Sequence, residues 1–224
     1  MAIEIPELLS TAEIREVRDQ LDAAAWQDGR QTAGHRARSV KTNLQLGLDD
    51  PLAQRLGDFL LGKLSQCPLF IASALPMRIV PPRFNRYEGD GAYGSHVDNA
   101  IFPGPQGHVR SDLSATIFLN DPDEYDGGEL LIDDLFGEHR VKLAAGHMIL
   151  YPGSSLHRVT PVTRGARFAA FFWVQSLVAQ DQQRRMLFEL DSAIQALTAD
   201  HPDHASLDPL TGVYHNLLRQ WSIT

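Results

Sequence analysis

The sequence predicts a mainly β protein with a core of the jelly-roll type and helices on either side of it. Many short apolar runs lie between residues 69 and 173, and Gly, Pro, Asp and Asn separate them. Short strands with such punctuation are typical of sandwiches and barrels, including the double-sheet jelly roll. The chain before and after this region has apolar residues three and four positions apart, which is the spacing of helices.

These patterns divide the chain into three segments. We expect N-terminal helices over residues 1–76 that pack on the core sheet, a jelly roll over residues 77–177, and a C-terminal helical extension over residues 178–224. A chain of 224 residues can bury one sizeable core, so the helical segments are expected to be additions to a single domain.

The first segment contains two helix starts. A capping box at Ser10-Thr11-Ala12-Glu13 predicts a helix that continues to about Ala25. A second helix is expected from Asp50-Pro51, because Pro is favoured in the first turn. Its apolar stripe is Leu52, Leu56, Phe59, Leu60 and Leu64. The polar residues 29–42 form either a solvated loop or a flap that brings positive charge to the mouth of a site.

The central segment contains the candidate strands. They cover residues 77–80, 83–87, 93–97, 113–119, 129–132, 139–143, 147–151, 158–162 and 168–174. Asp90-Gly91 and Asp126-Gly127-Gly128 are strong turn signals between them, the second a turn bordering the cavity. A jelly roll returns the chain repeatedly to one open end, so residues far apart in sequence can converge there.

The helical pattern returns after Ser176. Asp181 is the expected cap of a helix with the apolar stripe Leu187, Leu190, Ile194 and Leu197. A break over residues 201–209 precedes a last stripe, made of Leu210, Val213, Tyr214, Leu217, Leu218 and Trp221. These helices are expected to pack on the jelly roll or on a second subunit, in which case they would form a homodimer.

Composition excludes several classes of function. A net charge of −8 argues against binding nucleic acid through its phosphates. The N-terminus has neither a basic start nor an apolar run, so no secretory signal is expected, and no stretch is apolar for long enough to span a membrane. Cys67 is the only cysteine, which excludes an internal disulfide and suits a reducing compartment. We therefore expect a cytoplasmic protein.

The stretch 93–100 contains the candidate metal ligands. His96 and Asp98 lie two positions apart on a predicted strand, so both side chains share one face and Val97 points to the other. His157 is the candidate third ligand. Two His and one carboxylate, with coordination positions left open, form the facial triad of non-haem Fe(II) oxygenases.

Arg167 is the candidate partner for a cosubstrate. It begins the apolar run 167–174, and a turn over residues 163–166 is expected to form a hairpin that brings it close to His157. A guanidinium matches a carboxylate with two parallel hydrogen bonds, so Arg167 suits the far carboxylate of 2-oxoglutarate. The alternative is a surface Arg beside a turn, but alternation with Ala169, Phe171 and Trp173 favours an inward-facing side chain.

His-x-Asp by itself is a weak signal, because the chain contains a second copy at His201-Pro202-Asp203. That copy lies between helical patterns and carries a Pro, which suits a loop. We interpret it as a surface feature. The remaining histidines are interpreted as surface or satisfied core residues; they are His35, His108, His139, His147, His204 and His215.

Four stretches together resemble the PKHD-type hydroxylases, bacterial relatives of the prolyl 4-hydroxylase group of Fe(II)/2-oxoglutarate dioxygenases. They are residues 83–87, 94–100, 126–130 and 157–167, and the resemblance extends over nearly the whole chain. It implies a double-stranded β-helix core, Fe(II), 2-oxoglutarate and a dependence on L-ascorbate. Tyr87 matches a Tyr that hydrogen-bonds the cosubstrate in prolyl hydroxylases. Some members of the family are associated with bacterial iron uptake.

The predicted function is therefore hydroxylation of a small-molecule or peptidyl substrate, with decarboxylation of 2-oxoglutarate to succinate. Asp98 favours hydroxylation, because related halogenases lack this carboxylate. The alternatives are a non-catalytic metal-binding sensor, which needs no Arg167, and an interaction module without metal. Substrate contacts could come from Arg83, Arg86, Asn99 or the 99–112 loop, and the lid could be residues 29–42 or 99–112.

Overall fold

The computed structural model describes residues 2–32, 37–104, 107–134 and 137–223, apart from the side chains of residues 31, 32, 37, 38 and 134. The helices are α1 (Thr11–Asp22), α2 (Pro51–Ser65), α3 (Pro68–Ala74), α4 (Asp181–Asp200) and α5 (Leu207–Trp221). The strands are β1 (Ile3–Ile5), β2 (Gln27–Asp28), β3 (Lys41–Thr42), β4 (Leu44–Gln45), β5 (Pro76–Ile79), β6 (Arg83–Glu88), β7 (Ala92–His96), β8 (Ile101–Phe102), β9 (Val109–Arg110), β10 (Leu113–Phe118), β11 (Asp126–Gly127), β12 (Leu130–Asp134), β13 (Gly137–Val141), β14 (Met148–Pro152), β15 (His157–Val159), β16 (Val162–Arg164) and β17 (Ala166–Ser176).

Two antiparallel sheets form the core. The larger sheet has the order β1-β14-β10-β17-β6-β4-β2, with β5 also paired to β17, and the smaller has the order β13-β12-β15-β7-β3. Apart from the consecutive strands β12 and β13, neighbours in these sheets are not consecutive in sequence, as is typical of a jelly roll. Between the sheets lies an apolar cluster that includes Tyr87, Phe118, Leu130, Ile149 and Val159.

The side chains of strand β17 alternate between the apolar core under the N-terminal helices and a cavity between the sheets. Phe168, Ala170 and Val174 pack into the cluster shared with the N-terminal helices. The alternate residues Arg167 and Trp173 line a cavity between the sheets, because successive strand side chains point to opposite faces. The inward-facing row predicted from the sequence is therefore present.

The N-terminal helices cover the outer face of the larger sheet. The capping box at the start of α1 is complete, with the Glu13 amide bonded to the Ser10 side chain and the Glu13 carboxylate bonded to the Ser10 amide. Helix α1 ends at Asp22 rather than near Ala25, and beyond its end the Trp26 indole N–H donates to the Leu21 carbonyl.

The predicted hairpin over residues 163–166 is wrong. Strand β15 lies in the smaller sheet and β17 in the larger sheet, while β16 between them pairs with β11. Gly165 adopts a φ of +71° at the turn, and the chain crosses from one side of the sandwich to the other. His157 and Arg167 therefore approach each other across the interior rather than along a hairpin.

The described parts of the polar stretch 29–42, residues 29–32 and 37–42, are not simply a solvated loop, and residues 33–36 lie outside the described residues. Strand β3 pairs with β7 in the smaller sheet, and the Lys41 side chain is only 4% exposed. Short strands in this first segment also join the larger sheet, through β1 and β4. Strands of two or three residues are too short to produce a recognisable period, so they are not predictable from the sequence.

The C-terminal helices pack on each other, and α4 also packs on α3, next to a small apolar cluster. Its buried members are Leu75, Val178 and Leu187. Asp181 does not cap α4, because Gln180 occupies that position and Asp181 lies in the first turn, where it accepts a hydrogen bond from Arg184. Helix α5 starts at Leu207, so Pro209 lies inside its first turn rather than in the preceding break. Among the described residues, no helix has the length and apolarity needed to cross a membrane.

Candidate active site

A cavity between the inner faces of the two sheets holds the candidate residues. Strands β6, β10 and β17 supply its wall on the larger sheet, and β3, β7, β12 and β15 supply the other wall. Its charged and polar lining residues include Lys41, Arg83, Asn85, Tyr87, Tyr93, His96, Asp98, Asn99, Ser114, Thr116, Tyr151, His157 and Arg167. The five residues selected from the sequence therefore line one cavity; they are Tyr87, His96, Asp98, His157 and Arg167.

His96 and Asp98 share one face, as predicted from strand alternation. His96 is the last residue of β7, and its side chain and that of Asp98 are 8% and 11% exposed, whereas Val97 between them is 51% exposed. The Asp98 carboxylate lies 3.8 Å from Nε2 of His96 and 3.8 Å from Nε2 of His157. Ligand atoms of these three residues all fall within 4.8 Å of one another.

Both imidazoles are held in the same tautomer. Nδ1 of His96 lies 2.8 Å from the Gly94 carbonyl, and Nδ1 of His157 lies 3.0 Å from the Ser155 carbonyl. A carbonyl accepts only, so each Nδ1 carries the proton and each Nε2 is left with its lone pair, the form that binds a metal. Burial, together with His157, lowers the pKa of His96 to about 4, which also favours the neutral ring.

Ser114 orients the carboxylate. Its hydroxyl donates to Oδ2 of Asp98 at 2.6 Å from β10 in the opposite sheet, and it is 2% exposed. A Ser within a strand carries no signal of its own, so Ser114 is not recognisable as a functional residue from the sequence. Partners of this kind fix the orientation of a ligand and raise metal affinity.

Arg167 is almost fully buried, with 1% of its surface exposed. Its guanidinium lies 5.5 Å from the Tyr87 ring and 5.1 Å from the Phe118 ring. Nε has no hydrogen-bond partner, and no carboxylate of a described residue lies within ion-pair distance. A buried cation without an anion is costly, so this site is suited to a carboxylate from outside the chain.

Gly128 makes room for Arg167. It has a φ of +64°, and a Cβ at this position would lie 3.0 Å from Cδ of Arg167 and 2.8 Å from the Tyr125 ring. The turn signal at 126–128 was predicted to border the cavity. The structure adds a reason for the second glycine, which is close packing of backbone against the Arg167 side chain.

Tyr87 faces Arg167 directly across β6 and β17 and is 1% exposed. Burial raises the pKa of its phenol to about 12, so the hydroxyl remains a hydrogen-bond donor at neutral pH. Tyr87 and Arg167 therefore present adjacent donors to the cavity.

The other histidines do not join this group. Within residues 2–32, 37–104, 107–134 and 137–223, His96, Asp98 and His157 form the one cluster with metal-ligand geometry. His201 is exposed, in line with its interpretation as a surface residue, and His35 lies outside the described residues. His147 instead lies 3.1 Å from the carboxylate of Glu4.

Comparison with known proteins identifies the family. A hydroxylase from Parvibaculum lavamentivorans described as PKHD-type is 59% identical over 226 residues, which covers 100% of both chains. This chain belongs to the PKHD-type hydroxylases. Residues 181–222 match the model of the PKHD-type hydroxylase C-terminal domain, and residues 82–175 match the 2OG-Fe(II) oxygenase superfamily. The chain is accordingly an enzyme of an oxygenase superfamily that uses Fe(II) and 2-oxoglutarate.

Solved structures confirm the fold of this family member. A Pseudomonas putida prolyl-4-hydroxylase aligns with a TM-score of 0.53 at 21% identity, over 78% of this chain and 92% of that one. A Trichoplax adhaerens prolyl hydroxylase, solved with a peptide fragment of hypoxia inducible factor, aligns with a TM-score of 0.56 at 15% identity, over 83% and 86%. The prediction of a mainly β jelly roll with flanking helices is confirmed.

The residues present fit the groups that the family implies. Two imidazoles and one carboxylate with open positions suit Fe(II), and both Nε2 atoms are available for it. The buried Arg167 guanidinium suits one carboxylate of 2-oxoglutarate.

Proposed function

We propose that this protein is an Fe(II)/2-oxoglutarate-dependent dioxygenase that hydroxylates a substrate held in the cavity between its sheets. The observation that supports this most strongly is the pairing of a His-Asp-His cluster with a buried, uncompensated Arg in one cavity. A cluster of metal ligands alone would serve a structural or sensing site equally well. The nearby guanidinium adds a requirement for a carboxylate cosubstrate.

His96, Asp98 and His157 would hold the metal, and Ser114 would keep the Asp98 carboxylate in its ligating orientation. Three protein ligands leave coordination positions for the cosubstrate and for O₂. When bound, Fe(II) would activate O₂, which is the oxidant: one oxygen atom enters succinate as 2-oxoglutarate loses CO₂, and the other hydroxylates the substrate.

Arg167 would bind the carboxylate of 2-oxoglutarate that is remote from the metal, and Tyr87 would donate a second hydrogen bond to it. The aromatic residues around the guanidinium exclude water. Low local polarity strengthens each charge-assisted hydrogen bond, so the pair would select a dicarboxylate over a simple 2-oxo acid.

The test is an anaerobic titration of the Fe(II)-loaded protein with 2-oxoglutarate. We expect a visible charge-transfer absorption band, followed by succinate when O₂ is admitted. Pyruvate, which lacks the far carboxylate, should require a much higher concentration to give a band. Metal binding without a band and without succinate would instead support the non-catalytic sensor.

Several finer features extend this proposal. We expect L-ascorbate to sustain activity by keeping iron reduced, a cytoplasmic location where Fe(II) persists, and a small-molecule or peptidyl substrate. A homodimer through α4 and α5 and a link to bacterial iron uptake stay predictions. We also propose the division into residues 1–76, 77–177 and 178–224, which the matched ranges 82–175 and 181–222 support.

A further inference from the structure

Arg83 brings an unpaired positive charge to the cavity. Its guanidinium lies 5.1 Å from the Trp173 ring and 5.7 Å from the Phe102 ring, against an apolar part of the lining. In the part of the chain that the structure describes, this guanidinium has neither a hydrogen bond nor an ion pair. Burial removes part of the water around this charge and thereby lowers the pKa of Arg83.

Arg86, the next arginine on the same strand, has the anionic partner that Arg83 lacks. Arg86 lies on the opposite face of β6 and donates two hydrogen bonds to Glu88, at 3.0 and 2.5 Å. It stacks over Phe168, away from the cavity. Arg83 thus lacks an anionic partner because it faces the cavity, whereas Arg86, on the other face of the same strand, has one.

Lys41 brings a second positive charge from the opposite sheet. Its ammonium lies 5.1 Å from the Tyr93 ring, and Tyr93 in turn stacks on His96 at 3.6 Å. Burial and repulsion by the charge of Arg83 lower the pKa of Lys41 to about 8. Lys41 therefore stays mostly charged at neutral pH, and the two cations repel each other. Asp98 attracts both, but its carboxylate is the candidate metal ligand and would be engaged by the metal.

We propose that Arg83 and Lys41 bind an anionic oxygen group of the substrate, a carboxylate or a phosphoryl group, next to the metal. This assignment rests on the proposed function. It names the substrate class as an organic anion, with an apolar part that contacts Phe102 and Trp173. Two cations on facing walls would close the cavity around such a group and remove the repulsion between them.

This subsite is separate from the position of the cosubstrate. On β17, the cross-strand partner of Arg83 is Phe171, four positions beyond Arg167. Four residues of extended strand span roughly 13 Å. A 2-oxoglutarate molecule anchored at Arg167 would therefore leave Arg83 for a different anion.

Isothermal titration calorimetry tests the proposal, with anaerobic protein saturated with Fe(II) and 2-oxoglutarate. The probes are phenylacetate, phenyl phosphate and the neutral phenylacetamide. We expect at least one anion to bind at least about tenfold more tightly than phenylacetamide, and the better anion identifies the group. Arg83→Gln should remove this preference, Arg83→Lys should retain part of it, and Arg86→Gln should match the wild type.

Lys41→Gln provides a second variant and should weaken the same anion several-fold. The charge-transfer band of each variant reports whether it is folded and still binds 2-oxoglutarate. The proposal is overturned if neither anion binds more tightly than phenylacetamide, or if Arg83→Gln, with its band intact, binds the anion as the wild type does. Absence of the band in the wild type would instead refute the proposed function, so the two failures are distinct.

Discussion

His96 and His157 face each other directly across the antiparallel strands β7 and β15, with ring centroids 4.3 Å apart. This register places two candidate ligands from distant parts of the chain on directly paired strand positions, so that no loop is needed to position either of them. Asp98, two residues beyond His96, closes the group. The metal site would therefore depend on the pairing of two strands within the smaller sheet.

Loss of Asp98 should abolish iron binding. Asp98→Asn keeps the shape of the side chain but removes the charged ligand, so we expect metal content after desalting to fall close to zero. The matched control is Asp203→Asn, in the second His-x-Asp copy, which is exposed. Iron measured by a chromogenic chelator should be unaffected by the control. Equal iron in both variants would show that the cluster is not the metal site.

Removing the Ser114 hydroxyl should weaken iron binding without abolishing it. Its 2.6 Å hydrogen bond holds Asp98, and loss of such a partner typically costs about 10–100-fold in metal affinity. Ser114→Ala is measured by competition with a chelator. Ser73→Ala, which removes an equally buried hydroxyl bonded to a helix carbonyl, is the control for general destabilisation. A similar loss of affinity in both would argue against a positioning role.

Substitution of Arg167 should act on the cosubstrate and not on the metal. Arg167→Gln removes a charge-assisted interaction of about 1.5–3 kcal/mol, so the Kd for 2-oxoglutarate should rise by an order of magnitude or more. Iron content should stay near that of the wild type. Arg86→Gln, on the adjacent strand with its side chain facing away from the cavity, should leave the Kd unchanged. Succinate production at wild-type level in Arg167→Gln would contradict the assignment.

A methyl group at Gly128 should disturb Arg167. The added Cβ would lie within 3.0 Å of three side chains, at a φ that L residues avoid. We expect Gly128→Ala to lose about 1–3 kcal/mol of stability and to bind 2-oxoglutarate more weakly. Gly62→Ala in α2 meets no atom within 4 Å and should gain about 0.5–1 kcal/mol, because Ala is the better helix former. The free energy of unfolding in urea, measured for both variants, should fall for Gly128→Ala and rise for Gly62→Ala.

Acid should weaken the N-terminal cap in a defined pH range. A hydrogen bond from Lys63, and then one from the Ser10 amide, lower the pKa of Glu13 from 4.5 to about 2. A lowered folded-state pKa means that the contribution is full above pH 4.5 and is lost as the pH falls towards 2. The stability difference between wild type and Glu13→Gln, measured by urea unfolding, should therefore shrink from pH 6 to pH 2. A difference that stays constant over this range would exclude the charge of Glu13 as its source.

Local chemistry made much of the fold predictable. The helix starts at Ser10 and Asp50 are specified by the caps themselves, and the structure has both. The longer strands were recognisable because apolar and polar residues that alternate over five or more positions are typical of a strand with one buried face. The shared face of His96 and Asp98 follows from the same alternation and needs no knowledge of the rest of the chain.

Prediction from the sequence failed where the outcome depended on which distant segments meet. The expected hairpin brings Arg167 close to His157, whereas the two residues reach the cavity from opposite sheets. The sequence does not choose among Arg83, Arg86, Asn99 and the 99–112 loop, and only the packing of β6 turns Arg83 towards the cavity and Arg86 towards Phe168.

The sequence by itself therefore determined the class of fold, the positions of the main helices and strands, and the identity of the candidate ligands. These properties are encoded by residues a few positions apart. The tertiary structure decided that Ser114 supports Asp98, that Gly128 makes room for Arg167, and that Lys41 lies inside the cavity. Those contacts depend on how the two sheets pack against each other. This arrangement is set by the packing of the whole core, so it cannot be predicted from any local sequence pattern.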